Sequence, residues 1–371
     1  MSTNKTTRLQ SLDAFRGFTI LAMILVNTPG SWSHLYSPLS HADWHGCTPT
    51  DLVFPFFLFI VGVSVWFSSS KFNYELNAAV FKKITKRAFL IFLIGLLLNA
   101  FPFFNLEIEN LRIMGVLQRI ALAFWLGATL CLLIKRYELL LLTSALILLI
   151  YWALLFYLGG EAPYSLESNF ARAVDVKILG PTHLWQGKGM PFDPEGLFST
   201  LPAIVSVIFG FLTGRMISSL GRKKLLSRMI LLGVLGIGIG WIWGMFFPIN
   251  KALWTSSYVL YTTGIALLFL ALFIWLIDFK KYKSWAYLFL VFGMNSLFAY
   301  ILSMVWVKIL YTMNWTNGLG KSTNAYDWLY QEIMVPIAGN LNGSLLFAIV
   351  HILIFWAVLL VLYRKRIFIK V

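Results

Sequence analysis

The stretch from residue 41 to residue 67 reads HADWHGCTPTDLVFPFFLFIVGVSVWF. It begins with ionisable side chains, among them His41, His45 and Asp51, and then continues as an almost unbroken apolar run. The hydrocarbon core of a bilayer is roughly 30 Å thick and is crossed by a helix of about 20 mostly apolar residues. The stretch therefore predicts a membrane-spanning helix that carries reactive side chains at its entrance.

The whole chain has the composition of a membrane protein. Of its 371 residues, 59% are hydrophobic and 12% are charged, and the mean hydropathy is +0.78; soluble domains average about 25% charged residues. Long continuous apolar blocks exclude an outer-membrane barrel, whose strands alternate in polarity. We predict an all-α, polytopic integral membrane protein embedded in the lipid bilayer, with a single domain over residues 1–371. About ten transmembrane helices are predicted, at residues 15–34, 51–69, 87–104, 115–134, 138–158, 196–217, 226–247, 256–278, 285–311 and 343–363.

The net charge of +15 is interpreted as a topology signal. Basic residues cluster in short segments between alternate pairs of predicted spans, which is the positive-inside pattern. Lys5, Arg8 and Lys370 fall on the basic side, whereas Lys321 falls on the sparse side. Both termini are therefore predicted to be cytoplasmic. No nucleic-acid partner is expected, because the chain has no basic module interleaved with aromatic residues.

This topology places the polar segments 35–50, 105–114, 159–195 and 248–255 on the non-cytoplasmic face. The N-terminal segment is polar and lacks a small-residue cleavage site, so no removable signal peptide is expected. The two cysteines, at positions 47 and 131, have no partner at metal-ligand spacing. Neither a disulfide framework nor a metal site is predicted.

His41 and His45 are candidates for proton or acyl transfer, since histidine titrates near neutral pH. A carboxylate such as Asp51 can fix the tautomer of a nearby imidazole and stabilise its cation. The alternative is that Asp51 is a first-turn acid favoured by the helix dipole. Trp44 is suited to stacking on a sugar. Cys47 is a rival nucleophile, but no basic residue flanks it in the sequence to activate it.

Polar groups at membrane depth are costly and are functional candidates by default. Asp13 and Arg16 share a helix face at i, i+3 spacing; the alternative is a snorkelling ion pair that fixes helix depth. Asn27 lies near the other end of the first span, where the alternative to a ligand role is a helix-cap or packing amide, and Asn295 is buried within an apolar helix. The remaining candidates are Arg112, Gln118 and Arg119 near the start of the fourth span, and Asp193, Glu195, Asn250, Lys251 and Trp254 in outer turns.

Arg112 and Arg119 are seven residues apart, which places them on one helix face. An arginine in an apolar span needs an anionic partner or ligand. Structural pairing with Glu107, Glu109 or Asp51 is the alternative to ligand binding.

Six motifs occur in order along the chain: RLQSLDAFRGFTILAMILVN, HADWHGCTPTDLVFPFFLFIVG, RIMGVLQRIAL, FDPEG, PINKALWTSSYV and GMNSL. Together they closely resemble the heparan-α-glucosaminide N-acetyltransferase family and its bacterial relatives. The resemblance runs from about residue 8 to the C-terminus. It implies an integral-membrane acyltransferase that takes acetyl from cytoplasmic acetyl-CoA and delivers it to the amine of a glucosamine. Homodimer formation is left open.

The resemblance also implies roles for particular residues. The family's functional histidine precedes Ala-x-Trp-x-Gly, which falls on His41, and His45 ranks second. The chain begins directly at the first conserved span, without the long lumenal extension of the animal enzymes. We therefore expect a bacterial, multi-pass protein of the cytoplasmic (inner) membrane, whose acceptor is glucosamine or a glucosamine-containing saccharide.

In this scheme His41 is the base or a transient acetyl carrier, and Asp51 orients it. Asn27, Asn295 or Arg112 polarises the thioester oxygen, and Arg16 assists the phosphates of the donor. The acceptor pocket is shaped by Asp193, Glu195, Asn250, Lys251 and Trp254. Three alternatives remain at this point: O-acylation of a cell-envelope glycan, transport of amino sugars without chemistry, and a structural scaffold.

Overall fold

The computed structural model describes residues 9–105, 107–316 and 322–369, and these are mostly helical. The helices are α1 (Gln10–Asn27), α2 (Val53–Ser69), α3 (Ala78–Ala100), α4 (Val116–Leu133), α5 (Tyr137–Leu158), α6 (Phe170–Leu179), α7 (Thr200–Ser219), α8 (Arg222–Trp243), α9 (Ser256–Phe273), α10 (Tyr287–Met294), α11 (Ser296–Thr312), α12 (Ala325–Trp328) and α13 (Val335–Arg364). Two short strands, β1 (Asn314–Thr316) and β2 (Ser322–Asn324), form an antiparallel pair. Lys5, Arg8, Lys321 and Lys370, which were used to predict the topology, lie outside the described residues.

Seven stretches of helix among the described residues are long and apolar enough to cross a membrane. They are Pro49–Phe72, Val116–Leu133, Tyr137–Leu158, Thr200–Ser219, Arg222–Trp243, Ser256–Phe279 and Ala325–Arg364. The bent pair α10 and α11, with an angle of 83° between its halves, brings the number to eight if it is one span. These helices confirm a multi-pass membrane protein, whereas the count of ten and the sides of the termini stay predictions. Helices α1 and α3 occupy two of the predicted spans but are more polar.

The outermost helices are α5 and α8, which expose long apolar faces. The exposed side chains include Leu139, Leu142, Leu146, Leu149 and Ile150 on α5, and Ile230, Leu231, Val234, Leu235 and Ile239 on α8. Apolar surface of this extent is what the acyl chains of a bilayer solvate. The centre of the bundle is formed instead by α1, α2, α4, α7 and α9, which pack on one another.

Helices α2 and α7 approach so closely that only glycine fits at two points of contact. A Cβ at Gly62 would lie 1.9 Å from the carbonyl oxygen of Val207, and one at Gly210 would lie 1.9 Å from that of Phe59. Small residues permit such backbone contact in membrane bundles, where dispersion rather than water expulsion holds helices together. The contact fixes the axis of α2, and with it the position of Asp51 just before that helix.

Replacing Gly62 by alanine is therefore expected to destabilise the bundle. Forcing a methyl group into a packed contact typically costs about 1–3 kcal/mol, so the melting temperature of the detergent-solubilised protein should fall. Gly238→Ala in α8 is the matched control, because no atom lies within 4 Å of a Cβ built there and alanine favours a helix over glycine. Equal melting temperatures for the two variants would contradict the packing argument.

The four polar segments predicted for one face do meet at one end of the bundle, here called the histidine end (residues 35–50, 107–114, 159–195 and 248–255). The N–H of Gly46 donates to the carbonyl of Ile249 at 2.7 Å, and Trp44 Nε1 donates to the carbonyl of Tyr164 at 2.7 Å. In the third link, the N–H of Ile113 donates to the carbonyl of His183 at 3.1 Å. The opposite end, where α2 leads into α3, is called the basic end.

Candidate active site

His41 and Asp51 form the shortest ionisable contact at the histidine end. His41 Nδ1 lies 2.6 Å from Asp51 Oδ1. The carboxylate is 1% exposed, whereas the imidazole is 40% exposed. A carboxylate accepts only, so the Nδ1 proton is assigned to this bond and the Nε2 lone pair is directed elsewhere. The arrangement is that of an oriented base, with one member buried and the other open to a ligand.

The chain positions Asp51 through a turn that leads into α2. Its second oxygen accepts from the N–H groups of Ala42 at 3.1 Å and Thr48 at 3.0 Å. Thr48 caps the short 3₁₀ turn Pro49–Leu52 and closes a capping box with Asp51. The hydroxyl of Tyr258 on α9 donates to the carbonyl of Asp51. The helix-cap interpretation and the catalytic interpretation of Asp51 are therefore compatible, since one carboxylate oxygen serves each.

Lys251 reaches the same pair from the turn between α8 and α9. Its Nζ lies 3.2 Å from each ring nitrogen of His41 and 3.8 Å from Asp51 Oδ1. The neighbouring Asn250 is fully buried, and its Nδ2 lies 3.3 Å from Nδ1 of His45. Two loops distant in sequence therefore share one polar site.

Arg112, Asp193 and Glu195 make a second cluster at this end. Arg112 donates Nε and Nη2 to the two oxygens of Asp193 at 2.8 and 2.7 Å, and Nη2 also to Glu195 at 2.8 Å. Burial opposes the guanidinium charge, but the two carboxylates outweigh it and raise the pKa of Arg112 above its ordinary value. The partners of Arg112 are thus Asp193 and Glu195 rather than Glu107, Glu109 or Asp51.

Arg119 connects this cluster with the Lys251 turn. The side chain is fully buried, donates to the carbonyl of Gly196 at 3.0 Å and to the hydroxyl of Ser199, and its guanidinium lies 5.0 Å from the ring centre of Trp254. Trp254 is itself fully buried, so its ring supports Arg119 from within the protein. Gln118 is also buried.

Two further groups at the histidine end are poorly suited to nucleophilic attack. Burial, reinforced by the charge of Asp51, raises the pKa of the Cys47 thiol to about 12, against an ordinary value of 9.0. A thiol is a nucleophile only as its thiolate. Burial lowers the pKa of His45, which makes its imidazole a weaker base. The geometry favours His41 over both as the reacting group.

The remaining predicted residues make contacts other than those with His41 and Asp51. Asn295 sits at the bend between α10 and α11, where its amide donates to the carbonyl of Ile367 at 3.0 Å and accepts from the N–H of Ile369 at 2.8 Å. It holds the C-terminal segment. Asn27 is the last residue of α1. Trp44 is nearer the site and packs edge-to-face on Phe192 with 5.4 Å between ring centres.

Asp13 and Arg16 lie at the basic end, 3.3 Å apart. Arg16 also donates to the hydroxyl of Ser64 at 2.6 Å. Both Arg16 and Arg87 line a cavity of about 340 Å³ that extends between α1, α2, α3, α4 and α11. The cavity wall is otherwise mostly apolar, with Ile20, Met23, Phe57, Val61, Ile91, Leu117, Ile120, Phe124, Leu297 and Tyr300 among its residues. It joins a cationic entrance to an apolar interior.

Three supporting residues escaped the sequence analysis: Tyr258, Arg87 and Asp175. No local pattern marks the first two, because both act across helices. Asp175 on α6 is 2% exposed and accepts from the N–H of Phe198 at 2.9 Å, which holds the turn that carries Asp193 and Glu195. A Cβ at Gly196 would lie 1.9 Å from the carboxylate of Asp175, so the glycine of FDPEG was a sequence signal for a side chain packed closely against this turn.

Asp175 gives the protein a pH-dependent stability. Burial raises its pKa from 3.8 to about 7; the folded state therefore holds a proton that the unfolded chain releases, and the free energy of unfolding falls as pH rises from 4 towards 7. The Asp175→Asn variant has no carboxyl group to ionise at this position, so it does not lose this stability as the pH rises. We expect the variant to gain stability over the wild type between pH 5 and pH 8, by up to roughly 4 kcal/mol, measured as melting temperature across that range.

The control for this prediction is Glu161→Gln, at an exposed position of the same outer segment. Its melting temperature should follow that of the wild type at every pH. A constant difference between Asp175→Asn and wild type from pH 5 to pH 8 would show that Asp175 is already charged in the folded protein.

Comparison with known proteins identifies the family of the chain. Residues 8–217 match the model of the heparan-α-glucosaminide N-acetyltransferase catalytic family. The chain is 28% identical over 351 residues to human (Homo sapiens) heparan-α-glucosaminide N-acetyltransferase, covering 79% of this chain and 52% of that protein. It is 29% identical to the mouse (Mus musculus) protein of that name, covering 79% and 53%. The chain thus spans about half the length of these curated relatives. The family model covers more than half of the chain, which therefore belongs to the heparan-α-glucosaminide N-acetyltransferase catalytic family.

Proposed function

We propose that this protein is a transmembrane N-acetyltransferase that moves acetyl from acetyl-CoA to the amine of glucosamine or of a glucosamine-containing saccharide. The observation that carries the proposal is the 2.6 Å contact between His41 and Asp51, within a chain of this family. Human and mouse relatives are named for the same type of reaction. The contact supplies what such a reaction needs, namely an oriented imidazole with one nitrogen available.

His41 would act through Nε2. With Nδ1–H donated to Asp51, the Nε2 lone pair takes a proton from the acceptor amine, or attacks the thioester and carries the acetyl group. Asp51 would stabilise the positive charge that the imidazole develops in either case. The 40% exposure of the imidazole lets an acceptor approach from outside the bundle.

The donor would occupy the cavity that opens at the basic end. Arg16 and Arg87 are placed to pair with phosphate groups, while the apolar wall suits the thin pantetheine arm. Phe57 lies in this wall six residues beyond Asp51, about 9 Å of helix rise. The cavity therefore extends to within two helix turns of the His41 site, so a donor entering from the cytoplasm and an acceptor from the other face would meet there.

The acceptor would bind at the histidine end, among the polar turns that surround His41. Trp44 is suited to a sugar ring, and the Arg112 cluster supplies the fixed charges of the pocket. The bacterial inner membrane is the location we propose, with both termini cytoplasmic and the multi-pass bundle in the bilayer. O-acylation of an envelope glycan is the second candidate, because the same His41 and Asp51 would activate a hydroxyl.

The first experiment is acetyl transfer from isotope-labelled acetyl-CoA to glucosamine by the purified protein in detergent. We expect labelled N-acetylglucosamine from the wild type, and a fall of about 10²–10⁴-fold for His41→Ala, the usual contribution of a positioned acid–base group. His34→Ala is the matched control, since His34 belongs to an outer loop and contacts Ser31 and Tyr330 instead.

The outcomes separate the rival functions. No labelled product from glucosamine, together with binding of acetyl-CoA, would move the acceptor to an envelope glycan. If the protein binds no acetyl-CoA, and vesicles take up amino sugar equally well with the wild type and with His41→Ala, the protein is a transporter rather than an enzyme. Equal activity of wild type and His41→Ala would remove His41 from the mechanism.

A second measurement tests the donor cavity. Arg87→Met removes one guanidinium from the cavity entrance and should raise the KM for acetyl-CoA by about tenfold, because a hydrogen bond to a charged group contributes about 1.5–3 kcal/mol. The KM for glucosamine should stay the same. Lys224→Met, at an exposed position beside the start of α8, is the control for a general loss of positive charge. A change confined to the glucosamine KM would place the donor elsewhere.

A further inference from the structure

Lys251 touches the reactive imidazole in a way that the proposed function leaves unexplained. Its Nζ is 3.2 Å from both Nδ1 and Nε2 of His41. Cε1 lies between the two ring nitrogens, and an amine in the ring plane at these distances would overlap it, so the amine lies over the face of the imidazole. Because Asp51 takes the Nδ1 proton, Nε2 is the ring nitrogen left for the substrates, and the Lys251 amine lies next to it as a second basic group.

The turn that carries Lys251 is held firmly. Asn250 Oδ1 accepts from the N–H of Leu253 at 2.8 Å, and Thr255 Oγ1 accepts from the N–H of Asn250 at 3.1 Å. Trp254 adopts a left-handed backbone with φ of 50° in the same turn and is fully buried. The side chain of Lys251 is 21% exposed. The amine is thus positioned by the fold and remains accessible to a ligand.

N-acetylation requires more than one proton transfer. An amino sugar that arrives as an ammonium ion must lose one proton before its nitrogen can attack a thioester and a second as the amide forms. An imidazole with one available nitrogen holds one proton at a time. A second base beside the first would let both protons leave within the site.

We propose that the Lys251 amine is that second base, a proton-transfer group that acts together with His41; the proposal rests on the proposed function. Neutral Lys251 takes the first proton from the acceptor ammonium. The acceptor nitrogen then forms a bond to the acetyl carbon, the carbon–sulfur bond breaks, and His41 Nε2 takes the second proton and gives it to the departing thiolate. Lys251 releases its proton to solvent. The products are the amide, CoA thiol and one proton.

The surroundings of Lys251 suit this role. The groups that face it are His41 from the loop, Cys47, Asp51 at the start of α2, Glu195 before α7 and Arg119 from α4. Burial lowers the pKa of the Lys251 amine, and Arg119 acts in the same direction, while Glu195 and Asp51 oppose them. The net effect is a Lys251 pKa below the ordinary lysine value, which increases the fraction of neutral amine near neutral pH.

Two variants test the proposal. Lys251→Arg keeps the charge but cannot lose a proton under ordinary conditions, so kcat should fall about 10²-fold, with an unchanged Kd for acetyl-CoA. Lys251→Cys alkylated with 2-bromoethylamine restores an amine less basic than that of lysine. It should recover activity and move the acidic limb of the kcat–pH profile to lower pH. Lys177→Arg, exposed on α6, is the control.

Alkylated wild type controls for reaction at the native cysteines, since Cys131 is buried and Cys47 is half-buried. A structural or purely electrostatic Lys251 would be served by arginine, so full activity of Lys251→Arg would overturn the proposal. So would an alkylated variant whose pH profile matches the wild type. A wild type that acetylates no glucosamine acceptor would instead remove the proposed function, and with it this role.

A measurement without turnover separates the two failures. Trace labelling with acetic anhydride across pH, read by mass spectrometry, reports the fraction of each lysine that is neutral. Lys251 should become reactive at lower pH than Lys177 in the intact wild-type protein. Reactivity of the two lysines over the same pH range would overturn the proposal even if acetyl transfer to glucosamine is found.

Discussion

The buried carboxylate of Asp51 is the constraint on which the site depends. A carboxylate that is 1% exposed must have its oxygens satisfied, because an uncompensated buried charge is strongly unfavourable. One oxygen accepts a hydrogen bond from the imidazole of His41, and the other accepts from the main-chain N–H groups of Ala42 and Thr48. The loop from His41 to Thr48 is therefore folded around Asp51. The same requirement that shapes the loop also fixes the tautomer of the histidine.

Charge at the histidine end is arranged by the same rule. Arg112 is matched by Asp193 and Glu195, and Arg119 by main-chain and hydroxyl oxygens and the face of Trp254. These groups come from the segment before α4, from α4 itself, from the turn before α7 and from the turn before α9. A network that draws one partner from each element resists displacement of any of them, which is how a bundle held mainly by dispersion can keep a polar site in register.

Much of the fold followed from the sequence, because apolar run length is a local property. Among the described residues, seven of the predicted spans coincide with helices long and apolar enough to cross a membrane. The four polar segments meet at one end, as their alternation with basic segments required. Of the site, the spacing of His41 and Asp51 across a helix entrance was readable, since capping chemistry is local. The contact of Lys251 with His41 was not, because it joins residues 210 positions apart. Asn295 illustrates the converse: a buried amide marks a bound partner, but the partner is this chain's own C-terminal segment.

The shape of the bundle explains why chemistry at a membrane helix entrance is useful. A charged, bulky donor and a polar acceptor that occupy opposite sides of a bilayer can react only where the protein brings both to one point. Helix α2 spans that distance, with the His41 site just before its first turn and Ser64 and Ser68 in the cavity wall near its other end. The glycine contacts that fix α2 against α7 therefore also fix the separation between the two approaches. Under the proposed function, reactive side chains at the entrance of this helix let an acceptor reach them without entering hydrocarbon, while the mostly apolar cavity would take the pantetheine arm of the donor.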